Sequence, residues 1–487
     1  MRLSYRLILF SAMAAALPGI LSCSGERGKA IELKSENDLS GLTISCTSGN
    51  YYERKYSARE DVSVFVCNSE ADAVQAIRQG LADVFVSDEI VLTKEDQKRL
   101  GVKKAMRGED EFDVAFALRK GDTELKDQLD AFLASAPIDS LLQFWLEGGP
   151  EVPASYPEIP SGAAPVRCVV SQNMEPVCFN TEGGRWDGLD PDILRRFAAS
   201  LGRPLEIKFQ NLGSAVLALQ SGDADVLASC LFATEERRAF MDFSIPYYKC
   251  HPGYFVRDVQ AAGRPGFMER IRMNLLHEGR WKMIAEGLLE TVKITFFSIL
   301  LGTLLGGVVC AARRSRRKWA RSAAYIYSSL IQGTPTLVLL LIMFYVVFSG
   351  SGINASVVAI FTFALCFASS SGSIFDTAIS SVPRGQTEAG LSLGFTPFRT
   401  FTGIVLPQAV KKGLGIYTGE CIALLKSTSI VGYIAIQDVT RASDLIRSRT
   451  FDAMIPLLLI TIIYFLLAWL IRVLLTSFFR KYDNDKH

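Results

Sequence analysis

From about residue 40 to residue 260, short apolar runs alternate with amphipathic stretches of helical period. That alternation predicts strands and helices in turn, and so a parallel α/β architecture. Beyond residue 290 the pattern changes. Apolar segments at 292–312, 323–349, 354–379, 413–436 and 453–476 reach the roughly 20 residues that a helix needs to cross a bilayer. The second to fourth carry Gly, Ser and Thr on many turns, as where helices pack closely inside membranes. The fifth is almost purely aliphatic over 454–475 and is predicted to face lipid. Residues 261–290 read as an amphipathic connector between the two parts.

Charge sharpens this division. The 487 residues carry 52 Lys+Arg and 50 Asp+Glu, a net of +2. Residues 291–487 hold 19 of the basic and 8 of the acidic groups, a net of +11, which leaves −9 on residues 1–290. Charged residues are 21% of the chain and the mean hydropathy is +0.23. This excludes a disordered chain, a simple soluble enzyme and a nucleic-acid binder built on one basic face. It suggests an acidic external domain on a basic membrane part. Arg313, Arg314, Arg316, Arg317, Lys318 and Arg321 follow the first span and belong in the cytoplasm by the positive-inside rule. Residues 380–412 and 480–487 are then cytoplasmic, and 437–452 external.

The N-terminus agrees with export. Arg2 and Arg6 precede an apolar run from 7 to 21 that is short for a spanning helix, and small residues follow, which is a signal-peptide pattern. Its end, Ile20-Leu21-Ser22-Cys23, resembles a bacterial lipobox, so residues 1–23 read as a signal peptide of lipoprotein type; an uncleaved anchor or ordinary cleavage nearby is the alternative. Cys46, Cys67, Cys168, Cys178, Cys230 and Cys250 lie in the presumed exterior. Disulfides, one of them between the strand-like runs ending at Cys46 and Cys67, and buried free thiols are both open.

An internal echo links residues 73–84 to 215–226. Each is an apolar helix face, a glycine (Gly80, Gly222) suited to a left-handed helix stop, and a strand opening on Asp-Val at Asp83 and Asp225. Residues 165–257 contain Gly188-Leu189-Asp190-Pro191-Asp192-Ile193, Thr234-Glu235-Glu236-Arg237 and Phe243-Ser244-Ile245-Pro246-Tyr247. They resemble lobe 1 of the periplasmic binding proteins for polar amino acids. Residues 38–118, with Asp38-Leu39-Ser40-Gly41 and Gly80 through Asp88, resemble lobe 2, and 113–148 the closing strand and helices. The order is reversed relative to that family. Lobe 2 and the closing helices (38–150) precede a Pro-rich linker (151–164) and lobe 1 (165–260). One circularly permuted two-lobed domain accounts for this; two truncated tandem domains are the alternative.

The resemblance implies a site for a free amino acid, whose two charges need a cation and an anion. The family's carboxylate clamp falls on Arg237 in its Thr234-x-x-Arg turn, where a guanidinium fork matches a planar carboxylate. The ammonium partner falls on Asp88. Phe232, Met174 and Leu212 fall on other ligand-lining positions, and Phe232 and Met174 make the site more apolar than is usual in the family. The plain alternatives are a solvated helix start at Arg237 and a helix cap or strand end at Asp88.

In the membrane half, Glu388-Ala389-Gly390, Gly394 and Ile404-Val405-Leu406-Pro407 look like the EAA loop of ABC importer permeases, a helix–Gly turn–helix that docks in a groove of the ATPase. Gly333-Thr334-Pro335 and Lys426-Ser427-Thr428-Ser429 resemble stretches of the polar-amino-acid permeases, with Gln332 in place of their Arg. The resemblance implies an α/β two-lobed periplasmic-binding-protein domain followed by an all-α five-helix permease domain at 291–480. The expected function is the binding and permease subunit of an amino-acid importer in a bacterial inner membrane. Its expected partners are a cytoplasmic ABC ATPase dimer carrying ATP–Mg and a second permease, as homodimer or heterodimer, with no nucleic acid. No Gly-x-x-x-x-Gly-Lys-Ser/Thr loop occurs, and with His251, His277 and His487 as the only histidines there is no metal-site signal and no cofactor on the chain itself. The competing readings are a ligand-sensing receptor or channel that works without ATP, and a permease with a non-binding docking domain.

Overall fold

The two copies of the echoed segment build the same joint. The helices Glu70–Gln79 and Leu212–Ser221 are followed by Gly80 and Gly222 at φ +77° and +83°, a left-handed stop that costs glycine little. Three residues on, Asp83 donates its amide to Thr43 O at 2.8 Å and accepts the Thr43 amide on its carboxylate at 2.8 Å. Asp225 does the same with Arg167, at 2.8 and 2.9 Å. Each aspartate thus fixes the register of its strand against the adjacent parallel strand of its own sheet.

The computed structural model describes residues 31–152, 162–171, 175–181, 185–210, 212–258, 266–349 and 351–484. The signal segment at 1–23 and most of the linker lie outside the described residues. The chain forms two units, Met1–Phe112 with Lys249–Gly266, and Asp113–Tyr248 with Phe267–His487.

The first unit holds a five-stranded sheet in the order Ser63–Cys67, Thr43–Thr47, Val84–Asp88, Pro252–Arg257, Val102–Arg107. The first three strands are parallel, and Pro252–Arg257 runs antiparallel to both its neighbours. Val84–Asp88 is buried throughout, as expected of a central strand covered on both faces.

The α/β part of the second unit repeats the plan with Leu205–Phe209, Val166–Val170, Val226–Ala228, Ala117–Arg119 and Met241–Phe243. Here Ala117–Arg119 is the antiparallel insert. The helix Thr123–Ser135 turns Leu125, Leu129 and Leu133 inward on one stripe, and Phe132 packs on Phe197 with ring centroids 5.6 Å apart. Trp145 of Ile138–Glu147 donates its indole N–H to Asp192 at 3.1 Å. Residues 113–147, grouped with lobe 2 by sequence position, therefore pack with the second sheet, because their strand is the insert that sheet requires.

Cys46 lies opposite Val66 and Thr47 opposite Cys67, so the two thiols emerge on opposite faces of their strands and do not bridge. None of the described cysteines forms a disulfide, and burial pushes the Cys46 thiol up to about 12. Of the two states left open for the exterior cysteines, the structure has the buried thiols.

In the membrane part, three described helices are long and apolar enough to cross a bilayer: Trp281–Arg313, Ala355–Ser380 and Met454–Ser477. The second expected span is broken, and the fourth ends at a second bend. Lys318–Gly333 and Thr336–Val347 meet at 103°, and Pro397–Ile434 and Val439–Thr450 at 55°, so five spans result only if each bent pair counts as one. The first break has a local cause: Pro335 drives Thr334 into extended backbone, φ −110°, ψ 132°. Trp281–Arg313 buries Gly287, Thr291, Thr295, Ser298, Gly302 and Gly306, a stripe of small residues. A Cβ on Gly302 would lie 2.8 Å from Ala364 O, so this helix and Ala355–Ser380 approach backbone to backbone. At one end of the pair Arg314 bonds Asp376 and Ser380, at 2.9 and 2.8 Å. At the other, Gly287 packs on Asp438.

Candidate ligand and coupling sites

In the second unit, Thr234 caps the short helix Glu235–Arg238 by accepting the Arg237 amide at 3.4 Å. Arg237 is 9% exposed and its Nη1 donates to Phe232 O at 3.2 Å. The cap and this bond hold the guanidinium close to its own turn, unlike the solvated helix start that a run of four charged residues suggests. Phe232 is buried and bridges to Val114. Leu212 opens its helix, half-buried against the cluster containing Ala215 and Leu219. Met174 lies outside the described residues.

In the first unit, Asp88 ends Val84–Asp88 and is 6% exposed. It accepts the Tyr52 hydroxyl at 3.0 Å, which leaves its second oxygen to other partners. Nearby on the same strand, Ser87 donates to Glu70 at 3.3 Å and Thr47 to the same oxygen at 3.5 Å. Burial raises the Glu70 carboxyl above its ordinary range.

A buried carboxylate that the sequence reading left without a role sits beside the Arg237 turn. Asp190 is fully buried and accepts both the Tyr247 hydroxyl and the Cys230 amide. The signal was present, since Asp190 and Tyr247 both lie in motifs singled out for their resemblance.

The Glu388 loop forms Arg384–Ser392, a turn, and Pro397–Thr400. Gly394 stands at φ +84° and donates to Leu391 O at 3.0 Å, and Thr396 caps the second helix on Arg399 N at 3.3 Å. Gly390 is buried beneath Thr400; a Cβ there would lie 2.6 Å from Thr400 Cγ2. Glu388 and Ala389 are exposed, and so are Leu391, Leu393, Phe395 and Phe398, the second and fourth at 75%. Four large apolar side chains on one exposed turn mark a contact surface. Pro407 lies in the first turn of Leu406–Ser427.

Comparison with known proteins bears on both halves. The bacterial extracellular solute-binding proteins, family 3, match residues 166–413, just over half of the chain. A probable amino-acid ABC transporter permease protein of Bacillus subtilis, YckA, is 31% identical over 202 residues, which cover 41% of this chain and 89% of that protein. The L-cystine transport system permease protein TcyB of the same organism is 28% identical over 217 residues, 44% of this chain and 92% of that one. Among solved structures, an amino acid ABC transporter with histidines is 30% identical, covers 45% of this chain and 100% of its own, and superposes with a TM-score of 0.40.

Proposed function

Because the chain belongs to the bacterial extracellular solute-binding proteins of family 3 and to the amino-acid ABC transporter permeases, we propose that it works in an amino-acid ABC importer as receptor and permease at once. It is an integral membrane protein and a transport component whose complex includes ATPase subunits. In our reading the α/β part is external, captures a free amino acid and delivers it to the helices. A cytoplasmic ATPase dimer carrying ATP–Mg engages the Glu388–Gly394 turn, and a second permease chain, identical or related, completes the channel. Arg237 takes the ligand's carboxylate and Asp88 its ammonium, with Thr234, Phe232, Leu212 and Met174 around them.

The observation that carries this reading is the exposed turn. Among the described residues nothing covers its apolar side chains, which lie at the end of the membrane part where the basic segment after Arg313 also lies. Positive charge belongs on the cytoplasmic side, and so does an ATPase. The permuted order is supported by the sheets: residues 113–147 complete the sheet of residues 166–243, and Pro252–Arg257 completes that of residues 43–107. Close chain ends make such a rearrangement physically cheap.

The test is uptake of a mixture of radiolabelled proteinogenic L-amino acids into proteoliposomes holding the chain and its cognate ATPase. Uptake should require ATP and should be lost with Glu388→Lys combined with Gly394→Trp. ATP-independent flux, or uptake that survives both changes, would contradict the reading.

A further inference from the structure

The helix Val439–Thr450 is occupied on two faces. Val439, Ala442 and Ile446 bury against Ile284 and, on the last helix, Leu459 and Ile463. Arg441, Leu445 and Arg449, spaced by four, form a second stripe, and this one meets the α/β part of the same unit. The Arg441 guanidinium lies 4.0 Å from the ring centroid of Phe209, whose ring also packs on Trp186 with centroids 5.5 Å apart. Arg449 lies 4.4 Å over Phe179 and pairs with Glu175 at 3.0 Å. A separate foothold comes from the turn Met343–Val347. The Tyr345 hydroxyl is within 3.4 Å of Gln210 Oε1 and Ser214 O, its ring packs on the buried cluster of the second sheet, and Ser349 donates to Ser221 O at 3.3 Å.

Two cation–π contacts, an ion pair and an aromatic anchor thus tie residues 175–221 to two different membrane helices. Arg441 Nε and Nη2 are buried and have no hydrogen-bond partner among the described residues, so the ring face is a main partner of that group and a planar cation is what suits it.

We propose that this seat is permanent: residues 166–248 stay docked on Val439–Thr450 and Met343–Val347 throughout the transport cycle, with Arg441 and Arg449 as positioning residues that pass the receptor's state to the helices. The inference rests on the importer reading above.

The test uses the full chain with its ATPase in proteoliposomes, carrying Ser221→Cys and Ser349→Cys joined by a short reversible bis-methanethiosulfonate, with the unsubstituted chain treated in parallel. Joining should proceed to the same extent without amino acids, with a mixture of proteinogenic L-amino acids, and after trapping with ATP and vanadate. Uptake by the joined protein should stay within about twofold of the reduced protein. A yield that is negligible throughout or collapses in any state overturns the proposal. So does uptake that falls about tenfold on joining and returns on reduction. Absence of uptake before joining would count against the importer reading alone, since the yield reads the seat by itself.

In a second arm, Arg441→Lys with Arg449→Lys should remove most of the amino-acid stimulation of the ATPase at unchanged amino-acid affinity. Undiminished stimulation overturns the positioning role.

Discussion

Tyr247 donates its hydroxyl to Asp190 at 2.5 Å, and both residues are buried. The second carboxylate oxygen accepts the Cys230 amide at 3.3 Å, and Cys230 stands at φ +48°, a conformation that non-glycine residues seldom adopt. One buried acid therefore ties the start of the helix Leu189–Ser200 to the strained turn that leads into Phe232 and Arg237. Its position makes it a support for the turn proposed above to bind the ligand.

Burial raises the Asp190 carboxyl from its ordinary 3.8 to about 6, with both hydrogen bonds opposing the shift. In that window the folded state holds a proton that the unfolded chain has released. Stability attributable to this group is therefore greatest in acid and falls as pH rises from about 4 to 6, by at most about 3 kcal/mol. Thermal unfolding of the detergent-solubilised full chain across that window should show the decline, and Asp190→Asn should flatten it. An unchanged slope in the variant would assign the titration elsewhere.

The proposed ligand residues give a second prediction. Arg237→Ala and Asp88→Asn should each weaken amino-acid binding about 100-fold, the scale of a charge-assisted hydrogen bond in a buried site. Arg237→Lys should recover little, because an ammonium cannot form the two-pronged contact. Thr234→Ala, which removes only the cap that holds Arg237, should cost about fivefold. Calorimetry of the full chain against individual proteinogenic L-amino acids decides. Tight binding untouched by both charge changes would remove Arg237 and Asp88 from the site.

What the sequence disclosed was what is decided locally. Gly80 and Gly222 stop helices within their own turns, whereas Asp83 and Asp225 open strands whose register is completed by bonds to Thr43 and Arg167, far earlier in the chain. The Gly394 turn likewise follows from one left-handed glycine between two cappable helices. The break at Pro335 was spelled out by Gly333-Thr334-Pro335, yet averaged hydropathy ran through it, because an apolar window does not register a lost backbone donor. Arg441 and Arg449 read as loop charges. Their partners Phe209 and Phe179 lie more than 200 residues earlier in the chain, and no periodicity announces a contact made only in the folded state. Cys46 and Cys67 show the converse: adjacent strands were foreseen, but the register that turns the thiols apart was not.

Helix packing in the membrane part gives a third prediction. A Cβ on Gly306 would lie 2.0 Å from Ser371 Oγ and 3.1 Å from Ser371 Cβ, whereas one on neighbouring Gly307 meets nothing within 4 Å. Gly306→Ala should force the helices apart at a cost of about 1–3 kcal/mol, and Gly307→Ala should be silent. Ser371→Ala removes the nearer obstacle and should restore most of the loss. The monodisperse fraction on size-exclusion chromatography after mild heating separates these cases. Equal behaviour of the two alanine variants would mean that the helices are not in backbone-to-backbone contact at this point.

The turn proposed to engage the ATPase should separate binding from transport. Gly390 lies under Thr400 with no room for a Cβ, and Gly394 holds φ +84°, where a β-branched residue is strained. Both changes act far in sequence from the receptor and leave its groups untouched. Gly390→Val or Gly394→Val should therefore leave amino-acid affinity unchanged while lowering ATP-driven uptake about tenfold. The loss should come with weaker co-purification of the ATPase, since the distorted turn no longer presents Leu393 and Phe398 in one patch. Thr400→Ser removes the methyl group nearest to Gly390 and should partly rescue Gly390→Ala but not Gly394→Val. That asymmetry distinguishes a steric fault from a backbone one. If uptake and ATPase association both persist in the two valine variants, the ATPase must engage the chain somewhere other than this turn.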